Sequence, residues 1–407
     1  MGEILFLAHR IPFPPDRGDK IRSHHVLKAL AQLGPVHVAT FADDENDVEA
    51  QRDLEALART SIVSQRTKPM WRAGAEAVLR GQPVSLTAFH DAAIEQFVER
   101  TLRSRDISAI YVFSGQMGQY VPANWRGKLV IDFVDVDSAK FEAYAKSGNP
   151  AMRLINAREG RVLKAEERRL AARADTSLLV SHEEAALFAS RLTVPARVEA
   201  LENGIDSATF DPFSTLPDPV FAGLPGHKIV FTGQMDYAPN VAAVLRAARS
   251  LMPRIRSVIP GVQLHIIGRY PTAHVKALDG VDGCRVWGRV DSMPAYLRAA
   301  DLALVPLEIA RGVQNKVLEA MAMAVPVVAS EGAATGIGAQ HGREIMIGED
   351  DDALVRHSIA LLRDRQRAKT MGLAARRYLQ DRRSWQAVLA PLPELIGMTG
   401  QGESHAA

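Results

Sequence analysis

The chain has 407 residues, 47% hydrophobic and 24% charged, with a formal net charge of +2. That balance excludes a nucleic-acid binder whose basic residues dominate one face, and the length suits two domains of roughly 200 residues each. Cys284 is the single cysteine, and neither a membrane-length apolar run nor a signal-peptide pattern occurs, so a reducing, cytoplasmic setting is expected.

Ile4 to Ala8 is an apolar strand that runs into a Pro-rich loop, then a helix with Val26, Leu27, Leu30 and Leu33 on one side. Gly18, at the end of that loop, lets backbone approach closely, and Asp19 is placed to cap the helix. No G-x-G-x-x-G follows the strand and no Walker A occurs, which argues against a nicotinamide-dependent oxidoreductase. His24 and His25 are adjacent, so they do not share a helix face as metal ligands do, and packing or surface roles are expected. Val36 to Phe41 and Ile62 to Ser64 are further strands, with an acidic helix over residues 45–60 between them. Residues 69–105 are predicted helical throughout. Basic residues outnumber acidic ones from Arg59 to Arg105. This reads either as a solvated face or, with Met70 and Trp71, as a surface resting on an anionic bilayer.

Ile110 to Phe113 and Leu129 to Phe133 are buried strands, the second ending in DFVDVDS. Its Asp135 and Asp137 form an Asp-x-Asp, a pattern able to hold a divalent ion and equally able to serve as caps or polar contacts. Residues 151–174 form a long charged helix and Ser177 to Ser181 a strand. SHEEAALFAS then opens on a capping box, Ser181 with Glu184. After a Pro-rich linker, Asp211 to Pro225, strands recur at Lys228–Thr232, Gln263–Ile267, Arg285–Trp287, Leu302–Val305, Val325–Ala329 and Glu344–Ile347. Helices between most of them make this half a parallel, doubly wound sheet.

The stretch Leu302 to Ser330 is the most informative. Strand, loop, helix and strand form a βαβ unit whose ligand site lies at the carboxyl end of the first strand. The loop carries Arg311 and Gly312, and the helix starts at Asn315, so amides there suit an anion. Lys316 and Glu319 are three apart on one helix face. They form either a solvated ion pair or a cation for phosphate beside a carboxylate for sugar hydroxyls. Ser384 to Ile396 is predicted as the final helix, and the polar tail TGQGESHAA as disordered.

GxxxKVLEAMAxxxPVVAS resembles the donor-binding segment of retaining GT-B glycosyltransferases of the glycosyltransferase family 4 type, and ENGIDSATF resembles the signature that enters their second domain. The resemblance implies an α/β GT-B fold, two Rossmann-like doubly wound domains facing across a cleft. Residues 1–198 would form the acceptor-side domain, completed by a helix over 384–398 that crosses back. Residues 199–383 would bind the donor, with 399–407 a disordered tail. It implies that Glu319 holds the ribose, and Arg311 and Lys316 are the candidates for stabilising the leaving diphosphate. Gly233, Asn240, Gly268, Arg269, Gly312 and Asn315 would line the donor site, and Gly18, Asp19, Asp135 and Asp137 the acceptor side. Relatives carry E-x7-E where this chain has R-x7-E at Arg311, and many carry a diphosphate lysine near Asn240 that is missing here. Asp-x-Asp is the metal motif of the other large fold, GT-A, whereas GT-B enzymes generally need no metal. No metal and no cofactor beyond the nucleotide-sugar co-substrate are therefore expected.

AHRIPFPPDRGDKIRSHH, LRGQPVSLTAFHD, IDFVDVDSAKFEAYA and RGVQNKVLEAMAMAVPVV together look like the bacterial sugar transferases associated with PEP-CTERM/exosortase (XrtA) systems. None of these strings specifies the base, the sugar, the acceptor or the oligomeric state. The expected activity is retaining transfer from a nucleoside-diphosphate sugar to a glycan or lipid-linked acceptor, in exopolysaccharide biosynthesis. Peripheral contact with the inner face of the cytoplasmic membrane is expected, and no nucleic-acid partner. Two alternatives stand beside it: a sugar-nucleotide epimerase on the same fold, and a non-catalytic scaffold in a polysaccharide-export complex.

Overall fold

The computed structural model describes residues 2–15, 18–146, 149–308 and 313–398. Contacts divide the chain into two compact units. The first runs to Glu202 and regains the chain from Leu389. The second is Asn203–Val388.

In the first unit, seven strands form one sheet. They are β1 Glu3–Ala8, β2 Val36–Ala42, β3 Thr60–Gln65, β4 Ile107–Phe113, β5 Lys128–Val134, β6 Thr176–Leu179 and β7 Val198–Ala200. Their order is β3-β2-β1-β4-β5-β6-β7, every pairing parallel. Ile4 to Ala8 are fully buried, as continuous apolar runs must be when helices cover both faces of a parallel sheet.

The second unit carries a six-stranded sheet ordered β10-β9-β8-β11-β12-β13. Its strands are β8 Lys228–Thr232, β9 Gln263–Ile267, β10 Cys284–Gly288, β11 Leu302–Val305, β12 Val327–Ser330 and β13 Met346–Gly348, again all parallel. The strand order reverses between β8 and β11, so the carboxyl ends of those two strands flank the crevice where such sheets hold ligands. Both sheets are therefore parallel and Rossmann-like, the α/β architecture expected from the sequence.

Several elements differ from the sequence expectation. Residues 69–105 are not one helix but three, Met70–Arg80, Val84–Ala88 and Ala92–Ser104. Gly81 ends the first in a left-handed conformation (φ 64°), Pro83 cannot continue it, and Asp91 caps the third through Ala93 and Ile94 amides. The final helix is also two pieces, Trp385–Val388 and Leu392–Leu395, because Pro391 and Pro393 interrupt the backbone ladder. The first piece stays with the second unit, where Ser384 bridges to Ile205. The second piece packs in the first unit near the Gly18–Leu33 helix. The boundaries at 202 and 388 lie four and five residues beyond the expected 198 and 383. The tail from residue 399 lies outside the described residues.

Candidate functional site

Three loops leave the carboxyl ends of β8, β9 and β10 and are zipped together by backbone. Gly233 N–H donates to Ile267 O at 3.1 Å, Gly268 N–H to Gly288 O at 2.8 Å, and Met235 N–H to Arg269 O at 2.9 Å. Gly233 and Gly268 have φ of 145° and 157°, outside the range open to side chains with a Cβ. A Cβ on Gly233 would meet Asn240 Nδ2 at 2.9 Å and Lys316 Cε at 3.2 Å. So two of the expected donor residues, far apart in sequence, converge over that glycine.

Asn240 lies in the first turn of the Ala238–Arg246 helix and is buried. Its Nδ2 donates to Gln234 O at 2.8 Å. Lys316 lies in the first turn of the Asn315–Ala322 helix, which starts where β11's loop ends. Its Nζ donates to Gln314 Oε1 at 3.2 Å and sits 5.6 Å from the centre of the Phe231 ring. Burial pulls the Lys316 ammonium down to about 8, against the charge of Glu319. Burial likewise pushes the Glu319 carboxyl up to about 7, opposed by Lys316. Both side chains are partly buried, and burial brings each close to its titration point, unlike a solvated surface pair. Asn315 is exposed at the helix start, and Arg269 is half-buried at the end of β9. Arg311 and Gly312 lie outside the described residues.

Sequence reasoning missed the residues that fix the exit of β11. Ser330 Oγ donates to Leu307 O and accepts from Ala333 N–H, and Arg246 donates to Pro306 O at 3.1 Å while pairing with Asp351. Ser330 was findable, since a serine opening the Glu331–Ala334 turn is an N-cap signal. Arg246 was not, because its partners lie 60 and 105 residues away.

The first unit places a charged network at the carboxyl ends of β1, β2 and β3. Arg10 donates to Asp19 Oδ2 at 2.7 Å and to Asp43 Oδ2 at 2.6 Å. Arg66 donates to Asp43 Oδ1 at 2.8 Å, and His9 Nε2 lies 3.4 Å from Asp19. Burial alone would raise Asp19, but the hydrogen bonds from His9 and Arg10 outweigh it and hold that carboxyl well below the usual range. Asp19 lies inside the helix's first turn, where its Oδ1 accepts from Lys20 N–H at 3.0 Å while Oδ2 holds Arg10 and His9. Gly18 beside it is exposed, with open space where a Cβ would stand.

Deeper in the same unit, Lys20 pairs with Asp47. Arg22 binds Asp132 through Nε at 2.9 Å and Nη2 at 3.2 Å. Asp135 and Asp137 both receive Lys140 Nζ, at 2.8 and 3.2 Å. Neither caps a helix: Val136 precedes the Asp137–Tyr144 helix without a side-chain cap. The capping box at Ser181 is only half made. Ser181 caps Glu184 N–H, but the Glu184 carboxylate turns to Val136 N–H at 2.8 Å.

Residues 226–364 match the family model for glycosyl transferases group 1. The chain is 27% identical over 339 residues to a D-inositol 3-phosphate glycosyltransferase of Salinispora arenicola, covering 77% of this chain and 73% of that one. It is 29% identical over 258 residues to a GDP-mannose-dependent alpha-(1-6)-phosphatidylinositol monomannoside mannosyltransferase of Mycolicibacterium smegmatis, covering 59% and 66%. Among solved structures, Anabaena Alr3699/HepE in complex with UDP and glucose aligns with a TM-score of 0.65 at 14% identity, over 98% and 100% of the two chains. Sucrose-phosphate synthase of Thermosynechococcus elongatus aligns with a TM-score of 0.65 at 17% identity, over 97% and 98%. The fold is that of GT-B glycosyltransferases, and the relatives support a glycosyltransferase enzyme.

Proposed function

We propose that this glycosyltransferase moves a sugar, with retention, from a nucleoside-diphosphate sugar to a glycan or lipid-linked acceptor. The observation that carries the reading is the convergence of Asn240 and Lys316 on Gly233, at the carboxyl ends of β8 and β11. One relative is by its name GDP-mannose-dependent, and one structural neighbour holds UDP and glucose. In the proposed reaction the leaving diphosphate gains charge as the glycosidic bond breaks. Lys316, Arg311 and the half-buried Arg269 are the cations assigned to it. Glu319 orients the ribose, while Gly233, Gly268 and Gly312 let backbone approach the donor. Asn315 completes the helix amino end.

No metal and no cofactor enter this mechanism, and a single ammonium, Lys140 Nζ, lies between Asp135 and Asp137 at 2.8 and 3.2 Å. Turnover is expected to survive excess EDTA. A thermal-shift panel of UDP-, GDP- and ADP-sugars tests the reading, since ligand at a hundredfold excess over Kd stabilises by about 2.7 kcal/mol. No shift with any nucleotide favours a scaffold, and conversion of labelled donor without acceptor favours an epimerase.

The acceptor side of the proposal includes peripheral membrane contact, with the chain on the cytoplasmic face. No described helix is long and apolar enough to cross a membrane. Yet the Met70–Arg80 helix leaves Trp71 76% and Leu79 86% exposed, and Leu154 on the Pro150–Ala171 helix is 74% exposed. Arg158 joins the two helices by donating to Ala77 O and Gln82 O. Met70, Val78, Met152 and Ile155 extend the apolar surface, and Arg72, Arg80 and Arg153 flank it. Such a surface suits an anionic bilayer. Binding to anionic vesicles should weaken with salt and with Trp71→Ser, and equal binding to neutral vesicles counts against the electrostatic part. The long strings shared with PEP-CTERM/exosortase-associated transferases support a role in bacterial exopolysaccharide biosynthesis. Loss of exopolysaccharide on deleting the gene is the corresponding test.

A further inference from the structure

A lysine that meets a diphosphate has to keep its proton against burial and hold a long, flexible stem still. Lys316 has neighbours suited to both tasks. A Cβ on Gly233 would stand 3.2 Å from Lys316 Cε, so the glycine leaves room for the stem. The ammonium sits 5.6 Å from the centre of the Phe231 ring, within range of a cation–π attraction. It also donates to Gln314 Oε1 at 3.2 Å. Gln314 is the N-cap residue of the Asn315–Ala322 helix, yet its side chain caps no amide there. Its backbone carbonyl opens the helix by accepting from Val317 and Leu318 N–H. Its side-chain oxygen turns instead to the lysine two residues on.

The chemical type of that acceptor decides what it can do. An amide oxygen accepts from an ammonium and carries no charge of its own. It therefore favours the protonated lysine and leaves the positive charge in place for an anion. A carboxylate there would hold the proton more firmly, but it would cancel the charge that a diphosphate needs. We propose that Gln314 is a positioning residue for diphosphate binding, fixing Lys316 Nζ in its protonated form without neutralising it. This rests on the nucleotide-sugar reading above and deepens it. Glu319, on the same helix, is the charged group that acts on Lys316, and burial opposes it. From β8 and the Ala238–Arg246 helix the neighbours are Phe231, Gly233 and Asn240, all uncharged. Gln314 thus supplies a polar contact from outside those elements, at the mouth of its own helix.

Two readouts test it. In the ligand-free chain with isotopically labelled lysines, NMR titrates the Lys316 resonance, assigned by its loss in Lys316→Arg. Gln314→Leu should lower its midpoint by about one pH unit, and Gln314→Glu should raise it. Calorimetry with UDP and GDP reads the consequence for binding. With Gln314→Leu the alkaline fall in affinity should start about one unit earlier, so that binding above the wild-type midpoint is about tenfold weaker. In a Lys316→Met background the same substitution should cost no more than about twofold, because the contact is already gone. Gln314→Glu should weaken both nucleotides at every pH although its lysine keeps the proton longer, a pairing that a merely structural role does not produce. A Lys316 midpoint unmoved by either substitution would overturn the proposal. So would a Gln314→Leu loss that persists undiminished in Lys316→Met. If the midpoints move but wild type binds no nucleotide, the donor reading fails and the diphosphate role falls with it.

Discussion

Gly268 lays its α-carbon against the carbonyl of Gly233, so closely that a Cβ would come within 1.6 Å of that oxygen. With φ at 157° as well, no residue but glycine fits without moving backbone. The loop after β8 carries Gly233 and, seven residues on, Asn240, so that movement reaches the donor side chains. Gly268→Ala should lower nucleoside-diphosphate affinity at least about tenfold, because sub-ångström misplacement is costly at such a site. Calorimetry beside a urea titration checks this, and wild-type affinity in the variant would show that the approach is dispensable.

Arg22 and Asp132 are 1% and 0% exposed, and Tyr111 adds a 3.0 Å hydrogen bond to the same carboxylate. Arg22→Met leaves that carboxylate buried without its cation, which costs about 3–5 kcal/mol. Arg22→Met with Asp132→Leu should recover part of this loss, since removing both charges removes the desolvation they share. Urea unfolding of the two variants decides it. A double variant no more stable than the single one would mean that the pair contributes net stability.

Most strands in each half were legible because parallel strands buried on both faces need unbroken apolar runs, as at Ile4–Ala8 and Leu302–Val305, whereas their order in the sheets was not. The phase of Lys316 and Glu319 was legible from helix spacing alone. Arg22 and Lys20 were not, because a charge is buried only where a distant residue can pair with it. Asp132 lies 110 positions away. Asp19 shows the same limit: its local neighbourhood reads as a cap, and nothing near it announces that one of its oxygens also holds Arg10 and His9. The hydrophobic pattern also carried through Gly81 and Pro83 and hid a helix break that those two residues alone announce.

His265 on β9 is fully buried, accepts the Trp287 indole N–H at 3.2 Å, and packs edge-on to Phe221. Burial, then the charges of Arg285 and Lys228, depress its pKa to about 4 from the ordinary imidazole value of 6.5. The folded chain therefore binds fewer protons here than the unfolded chain between those values. The stability tied to a neutral ring is complete above about pH 6.5 and is lost as pH falls toward 4. The total is on the order of 3 kcal/mol. His265→Gln keeps a hydrogen-bond acceptor and should flatten this part of the profile relative to wild type. Parallel curves for the two proteins over that range would remove His265 as the cause.

Donor binding should peak in a narrow pH window set by Lys316 and Glu319. Free Lys316 loses its proton around pH 8, and a diphosphate favours the ammonium over the neutral amine. Affinity is therefore full well below 8 and falls as pH rises through it, approaching tenfold per unit. Glu319 works from the other side. It is protonated below about 7, and only the carboxylate offers both oxygens as acceptors to the ribose hydroxyls. Affinity then falls as pH drops through 7, which leaves an optimum between about 7 and 8. Lys316→Arg keeps its charge at any accessible pH, so it should retain the acid limb and lose the alkaline one. Glu319→Gln should do the reverse, with roughly tenfold weaker binding of the free nucleotide throughout, because a hydrogen bond to a charged group is worth about 1.5–3 kcal/mol. Calorimetric titration with UDP and GDP from about pH 6 to about pH 9 reads both limbs. A profile unchanged by Lys316→Arg removes that lysine from the diphosphate, and one unchanged in both slope and affinity by Glu319→Gln removes that glutamate from the ribose.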